Sequence, residues 1–144
     1  MVTARDLMRP CPTVADSTTV AEVVARMAVD PEYFYAVLDA HGELTGIITE
    51  FDLVRLMYES GEYDAPEGAV GRMPRFLGYT PAQLRELNAA SIMTEQPETV
   101  TPGTPMAEMA HGFFRRRHNQ LLVAEGKHLL GVVRRVDVVK QVLG

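Results

Sequence analysis

Hydrophobic and polar positions follow each other along this chain in an order that occurs twice. An apolar run rich in β-branched side chains at residues 44–48 predicts a short buried strand, and residues 50–59 continue directly as an amphipathic helix. The same layout returns 85 residues later, where the apolar run at 129–133 leads into a second helix with a regular apolar face. We therefore predict that the chain is built from two copies of one unit.

The first copy begins with a short helical turn at residues 3–8, which a Pro-Cys-Pro sequence ends, and a short strand at Thr13 and Val14. Apolar residues at positions 20, 23, 24 and 27 then show the spacing of one buried helical face. A strand at 34–38 precedes the strand at 44–48, and the turn between them contains Gly42, which predicts a hairpin. The predicted order is turn, strand, helix, strand, strand, helix.

The second copy repeats this order. Residues 91–93 match residues 6–8, the strand at 99–100 matches Thr13 and Val14, and the apolar positions 106, 109, 110 and 113 reproduce the buried face of the first helix. Residues 121–123 are predicted to match residues 36–38, and Gly126 lies in the hairpin turn. Because the offset varies between 85 and 86 residues, one loop is predicted to differ by one residue.

Residues 60–89 separate the two copies and are rich in glycine and proline, which predicts irregular chain. Within them, a capping-box sequence with proline at the first helical position predicts a short helix at 81–88. The segment also carries apolar side chains that a free linker would not. We expect it to pack on the body of the protein through Met73, Phe76, Leu77 and Tyr79.

The end of the first copy carries the best candidate for ligand chemistry. Thr49 lies at the predicted N-cap of the closing helix, and Asp52 follows three residues later. The pair can form a capping box that satisfies only its own backbone. Alternatively, the positive end of the helix dipole and the Thr49 hydroxyl can receive a phosphate, while the Asp52 carboxylate accepts two hydrogen bonds from a ribose diol. The corresponding residues of the second copy are Arg134 and Asp137.

Composition places the chain of 144 residues among ordinary globular proteins, with 47% hydrophobic and 23% charged residues. No apolar run approaches the roughly 18 residues of a membrane span, and the N-terminus lacks the apolar core of a signal peptide. The single cysteine, Cys11, cannot form an internal disulfide. We therefore expect a cytoplasmic location and no membrane partner.

The net charge of −5 is divided unevenly between the two halves. Residues 1–70 carry four arginines against thirteen acidic residues, whereas residues 71–144 carry ten basic residues against six acidic ones. An acidic chain is a poor binder of nucleic acid by its bulk charge, so no nucleic-acid partner is expected. The run Arg115-Arg116-Arg117-His118 in the basic half is either a solvated helix end or a phosphate contact.

Other catalytic and metal-binding patterns are absent from the sequence. His111, His118 and His128 are scattered, whereas a metal site needs three or four converging ligands. Neither a phosphate-binding Gly-rich loop nor a nucleophile elbow occurs, and Cys11 has no histidine near it in sequence. We therefore expect no enzyme activity, no metal and no required cofactor.

The two copies, with their Asp-Leu-Met and Ser-Ile-Met openings and the Gly-apolar-apolar-Thr-x-x-Asp stretch, resemble a tandem CBS-domain pair of the cystathionine-β-synthase type over residues 3–59 and 90–144. The resemblance implies an α/β (α+β) fold of two pseudo-twofold-related repeats, each with a small mixed sheet. The predicted boundaries are 1–59 for the first repeat, 60–89 for the insert and 90–144 for the second repeat. It also implies clefts between the repeats for a regulatory adenosyl ligand: AMP, ADP, ATP or S-adenosylmethionine.

Carried over residue by residue, the resemblance implies that Thr49 contacts phosphate and Asp52 contacts ribose. The first site would also contain Thr13, Val14, Tyr35 and Ala36. The second site would comprise Thr99, Val100, Asn119, Gln120, Leu121, Arg134 and Asp137. This family often has proline at the positions of Ala36 and Leu121, and threonine at the position of Arg134. Arg134 can bind a phosphate through two parallel hydrogen bonds, or its bulk can fill the cleft, and the sequence leaves both open.

Two functions are consistent with these features. The chain can be a stand-alone regulatory module that binds an adenosyl nucleotide and signals to an effector protein by changing shape, or an interaction module of the same fold whose clefts bind nothing. The apolar faces of the helices at 20–27 and 106–113 also indicate an interface. We expect a twofold-symmetric homodimer built from these helices and the two closing ones.

Overall fold

Two small mixed sheets form the centre of the fold, which is described from a computed structural model covering residues 1–30, 33–59, 81–116 and 118–144. The predicted packing of Met73, Phe76, Leu77 and Tyr79 concerns residues outside these ranges. The elements of the first half are α1 (Ala4–Leu7), β1 (Thr13–Ala15), α2 (Val20–Val29), β2 (Phe34–Leu38), β3 (Leu44–Thr49) and α3 (Glu50–Glu59). Every element predicted for this half is confirmed, with ends that shift by a few residues at most.

The second half repeats the same elements after a short helix, α4 (Pro81–Glu86), which ends two residues before the predicted helix at 81–88. They are α5 (Ala89–Ile92), β4 (Thr94–Glu95), β5 (Thr99–Val100), α6 (Met106–Arg116), β6 (Gln120–Glu125), β7 (His128–Arg134) and α7 (Arg135–Leu143). Among the elements in the described ranges, only β4 lies where the sequence pattern predicts none, because two polar residues give no apolar periodicity.

The two sheets have the same internal order. In the first, β1 pairs parallel with β2, and β2 pairs antiparallel with β3. In the second, β5 pairs parallel with β6, and β6 pairs antiparallel with β7. The first sheet gains a fourth strand because β4, from the second half of the chain, adds antiparallel to β3.

The strand registers correct the predicted alignment of the repeats by one residue. Thr13 lies opposite Ala36 in the first sheet, and Thr99 lies opposite Leu122 in the second. Leu122, and not Leu121, is therefore the counterpart of Ala36, and the predicted match of residues 121–123 to 36–38 is wrong. Two adjacent leucines carry the same local signal, so only the sheet pairing distinguishes them.

Two loops differ between the repeats, rather than the single loop predicted. The segment before β5 is one residue longer than the segment before β1, and the β6–β7 hairpin is one residue shorter than the β2–β3 hairpin. The longer segment contains Gln96, which has a positive φ of 49°. The two differences cancel, which explains why the offset rises to 86 residues and returns to 85.

The opening helices are exchanged between the repeats. Ala4 of α1 is fully buried in a cluster with Met109, Phe113 and Val133 of the second repeat, and its N–H donates to the carbonyl O of Thr104 at 2.9 Å. In the same way, α5 contributes Ala89 and Ile92 to the core of the first repeat. The Ala89 N–H donates to the carbonyl O of Thr18 at 2.7 Å.

This exchange fixes the residues that follow each opening helix. Thr94, after α5, pairs with Ile47 of β3, and Arg9, after α1, forms a bridge with Val132 of β7. A third apolar cluster joins the two sheets through Phe34, Ala36, Leu44, Leu122, Ala124 and Val132. Each repeat therefore contributes an opening helix to the core of the other. The residues after these helices, Thr94 and Arg9, lie beside β3 and β7 where the two repeats meet.

Candidate functional site

Thr49 and Asp52 form a reciprocal capping arrangement at the start of α3. The Thr49 N–H donates to Asp52 Oδ2 at 2.8 Å, and the Asp52 N–H donates to Thr49 Oγ1 at 3.2 Å. The predicted capping box is thus present. The Glu50 N–H is also engaged, because it donates to the Tyr33 carbonyl O at 3.0 Å. The N–H groups of Thr49, Glu50 and Asp52 are therefore already hydrogen-bonded within the protein.

The Asp52 carboxylate is the buried polar centre of this site, with a side chain that is 5% exposed. Its Oδ1 accepts a hydrogen bond from Thr94 Oγ1 at 3.0 Å and lies 3.5 Å from a terminal guanidinium nitrogen of Arg55. Thr94 reaches Asp52 because β4 pairs with the strand that ends at Thr49. Buried charges need such partners, and here the hydroxyl and the cation supply them.

A cavity of about 780 Å³ opens beside this carboxylate and is lined by both repeats. The first repeat contributes Thr49, Asp52 and Arg55, together with Tyr33, Phe34 and Ile47. The second contributes Thr94 and Glu98 before β5, and His118, Asn119, Gln120 and Arg134 at the ends of β6 and β7. A volume of this size lies within the range of small-molecule sites.

Charges of both signs surround the cavity. The cationic side chains of Arg55 and Arg134 line it, and so do the acidic side chains of Glu50, Asp52 and Glu98. Glu98 forms an ion pair with Arg116, at the end of α6, and its Oε2 lies 3.5 Å from His118 Nε2. The basic end of α6 therefore lies next to the cavity.

Only some of the residues predicted for the first site line the cavity. Thr49 and Asp52 line the cavity, whereas Thr13, Val14, Tyr35 and Ala36 do not. Three of these four are core residues, because Val14, Tyr35 and Ala36 are each at most 3% exposed. Thr13 lies on β1 at the opposite edge of the first sheet from β4.

Likewise, only some of the residues predicted for the second site line this cavity. Asn119, Gln120, Leu121 and Arg134 line the same cavity as Asp52, whereas Thr99, Val100 and Asp137 do not. The cavity thus combines the closing turn of the first repeat with the middle strand of the second. Sequence reasoning missed Thr94, because neither Thr94 nor Arg9, its counterpart in the first repeat, belongs to a motif that predicts a binding site.

Asp137 has a different partner from Asp52. Its Oδ2 accepts a hydrogen bond from the Arg134 N–H at 3.1 Å, which repeats the backbone contact of Asp52. Its Oδ1, however, forms a 2.6 Å ion pair with the guanidinium group of Arg9. Among the residues that the structure describes, no group of three or more His, Cys, Asp or Glu side chains could hold a metal ion.

Comparison with known proteins identifies the family. The family model described as CBS domain matches residues 4–59 and again residues 89–144, and the chain belongs to this family. No relative among the curated proteins matches it. Within the described ranges, no helix is both long and apolar enough to cross a bilayer.

Solved structures show the same fold. CBSX2, whose crystal structure is a complex with AMP, is 20% identical with a TM-score of 0.76, over 99% of this chain and 97% of that one. A CBS domain-containing protein from Kribbella flavida is 16% identical, with a TM-score of 0.77 over the whole of both chains. The CBS domain of a membrane protein from Sphaerobacter thermophilus is 27% identical, with a TM-score of 0.67, over 97% of this chain and 87% of that one.

Proposed function

We propose that this protein is a regulatory module that binds an adenosine nucleotide in the cavity between its repeats. The observation that carries the proposal is the buried Asp52 carboxylate, which lies between two threonine hydroxyls at a cavity lined by arginines from both repeats. The AMP complex of the similarly folded CBSX2 supports the choice of ligand class. The module acts without catalysis, and ligand occupancy changes how it engages an effector protein.

The groups around Asp52 fit a nucleoside phosphate. A ribose diol presents two donors to the carboxylate, and it can take the place of the neutral Thr94 hydroxyl, which leaves by rotation of one side-chain bond. Arg134 and Arg55 line the same cavity and can pair with phosphate oxygens, since a planar guanidinium suits bidentate phosphate binding. The aromatic side chains of Tyr33 and Phe34 add apolar surface for a base.

Thermal unfolding with a panel of AMP, ADP, ATP, S-adenosylmethionine and NAD tests the proposal, with GMP as a control for the base. A ligand that binds only the folded state stabilises it by about 2.7 kcal/mol at a concentration of 100 Kd, which raises Tm by several degrees. We expect at least one adenosine phosphate to produce such a shift and calorimetric titration to confirm it. The absence of a shift with every member of the panel would contradict the proposal.

The second candidate is an interaction module of the same fold that binds no small molecule. Exposed apolar side chains on α6 and α7 favour it: Phe114, Val136, Val139, Val142 and Leu143. Both candidates predict self-association, but only the first predicts a nucleotide-dependent Tm. The ligand panel therefore decides between them.

A further inference from the structure

The two buried carboxylates at the repeat ends are equivalent in position but not in partner. Asp52 and Asp137 each follow the last strand of a repeat by the same number of residues, and their side chains are 5% and 6% exposed. The residue brought to each by the exchanged opening segments differs. It is Thr94 at Asp52 and Arg9 at Asp137.

Thr94 and Arg9 occupy matching places in the fold. Thr94 pairs with Ile47, one residue after Gly46, while Arg9 forms a bridge with Val132, one residue after Gly131. Each glycine lies against the segment that carries the partner residue. A Cβ at Gly46 would be 2.9 Å from the Thr94 carbonyl O, and a Cβ at Gly131 would be 2.8 Å from the Arg9 carbonyl O. Thr94 and Arg9 therefore occupy equivalent positions in the two repeats and differ only in the side chain that they bring to the carboxylate.

We propose that Arg9 closes the second cleft, defined by Asp137 and its partners, so that each chain binds one nucleotide, at Asp52. This inference rests on the proposed function. A ribose diol must bind the carboxylate through an accessible oxygen, and the Arg9 guanidinium already holds Asp137 Oδ1 at 2.6 Å. Arg9 and Asp137 form an ion pair, whereas Thr94 is an uncharged donor that a ribose hydroxyl replaces like for like, so neutral hydroxyls do not displace Arg9 as they displace Thr94.

The position of Arg134 agrees with this asymmetry. Its backbone N–H donates to Asp137 Oδ2, and the residue also lines the cavity beside Asp52. The second repeat thus contributes a cation to the first cleft while its own carboxylate is neutralised by Arg9. Arg9, rather than Arg134, is the residue that closes the second cleft.

Calorimetric titration with AMP, read as the number of sites per chain, tests the inference on the protein of residues 1–144. We expect one site in the wild type and two in Arg9→Thr, which gives the second cleft the residue found in the first. The reciprocal variant Thr94→Arg should lose the wild-type site. Arg5→Thr, a change of an exposed arginine on the neighbouring α1, should keep one site. Thermal unfolding of each variant without ligand establishes that it is folded.

The outcomes separate this inference from the proposed function. Two sites in the wild type, one unchanged site in Arg9→Thr, or full binding by Thr94→Arg would overturn the role of Arg9 and leave nucleotide binding intact. A wild type that binds no AMP beside an Arg9→Thr variant that binds one would overturn the site at Asp52 while supporting closure by Arg9. No binding by either protein would overturn both.

Discussion

At the scale of single residues, the chemistry of this protein depends on which donor faces each buried carboxylate. Asp52 accepts a hydrogen bond from the Thr94 hydroxyl, with the Arg55 guanidinium 3.5 Å away, whereas Asp137 forms a 2.6 Å ion pair with Arg9. Both carboxylates also accept a hydrogen bond from the backbone N–H of the residue three positions earlier. The common backbone contact follows from local sequence. The differing side-chain contacts come from residues more than forty positions away, and they determine whether the carboxylate is available to a ligand.

Replacing Asp52 with asparagine should weaken AMP binding about ten- to a hundredfold. The change removes the negative charge and one acceptor with little change in shape, and hydrogen bonds to charged groups contribute roughly 1.5–3 kcal/mol. The same change at Asp137 should cost less affinity, because Arg9 already holds that carboxylate. Titration calorimetry compares the two variants, and a larger loss from Asp137→Asn would show that the ligand binds in the other cleft.

Replacing Arg134 with glutamine should weaken binding of AMP more than binding of adenosine. The guanidinium contacts phosphate in the proposed complex, so only the ligand that carries phosphate loses a charged hydrogen bond, at a cost of roughly tenfold in affinity. Arg135→Gln is the matched control, because Arg135 is exposed at the start of α7 and does not line the cavity. Equal losses for AMP and adenosine would place the phosphate elsewhere.

At the scale of elements, the exchanged segments require close contact with β3 and β7. Gly46 permits this contact in the first repeat, because a Cβ there would lie 2.5 Å from Met93 Sδ and 2.9 Å from the Thr94 carbonyl O. Flexible Met93 can move, but the Thr94 carbonyl is backbone that β4 pairing holds in place. A larger residue at position 46 is therefore expected to displace Thr94.

Gly46→Ala should lower the free energy of unfolding by about 1–3 kcal/mol, the usual cost of overpacking a close contact, and should also weaken AMP binding. Gly112→Ala is the control in α6, where a Cβ would meet no atom within 4 Å. That change should raise stability by roughly 0.5–1 kcal/mol through helix propensity. Urea unfolding measures both effects, and an unchanged Gly46→Ala protein would contradict the proposed packing.

The β2–β3 turn carries a pH-dependent contribution to stability. Asp39 Oδ1 accepts hydrogen bonds from the N–H groups of Glu43 at 3.0 Å and His41 at 2.8 Å. The hydrogen bond from the Glu43 backbone, with that from His41, lowers the pKa of Asp39 below its ordinary value of 3.8. Because the folded pKa is the lower one, the stabilisation is present above 3.8 and is lost as pH falls through the folded pKa.

Asp39→Asn should therefore reduce the pH dependence of unfolding in this acidic range. Asparagine keeps an acceptor oxygen for the turn but does not titrate. Urea unfolding of the two proteins, at neutral pH and below 3.8, gives the comparison. If the free energy of unfolding changed by the same amount with pH in both proteins, the result would contradict the lowered pKa of Asp39.

At the scale of the whole molecule, apolar side chains remain exposed on the helices that flank the sheets. Val24 on α2, Phe114 on α6, and Val139 and Val142 on α7 are each at least 46% exposed. Two small sheets joined by a shared core leave these outer faces uncovered. Such a surface is typical of a contact with another chain, and the repeat of the same helices gives it approximate twofold symmetry.

We expect a homodimer by light scattering at tens of micromolar protein, and a monomer for Val139→Asp, which buries a charge in the proposed contact. His128→Asp is the control, since it adds the same carboxylate at the exposed start of β7. A monomeric wild type would contradict the interface. Dissociation of both variants would show that added charge alone separates the chains.

The sequence by itself determined the described elements other than β4, their order and the existence of two repeats. Periodicity reports which side of a strand or helix is buried, and capping reports where a helix begins, so α2, β3 and the Thr49–Asp52 arrangement could all be predicted. Gly42 and Gly126, with φ of 78° and 59°, likewise mark both hairpin turns. These signals are local, and each involves residues that are neighbours along the chain.

Only the tertiary structure decided which repeat each opening helix packs on, how β6 is registered, and which residue faces each carboxylate. Arg9 and Asp137 are 128 residues apart, and no periodic pattern connects them. The exchange of α1 and α5 brings Arg9 to Asp137 and Thr94 to Asp52, because the apolar faces of these short helices are buried in the core of the other repeat. Such contacts depend on the packing of the two repeats against each other, which local sequence does not specify.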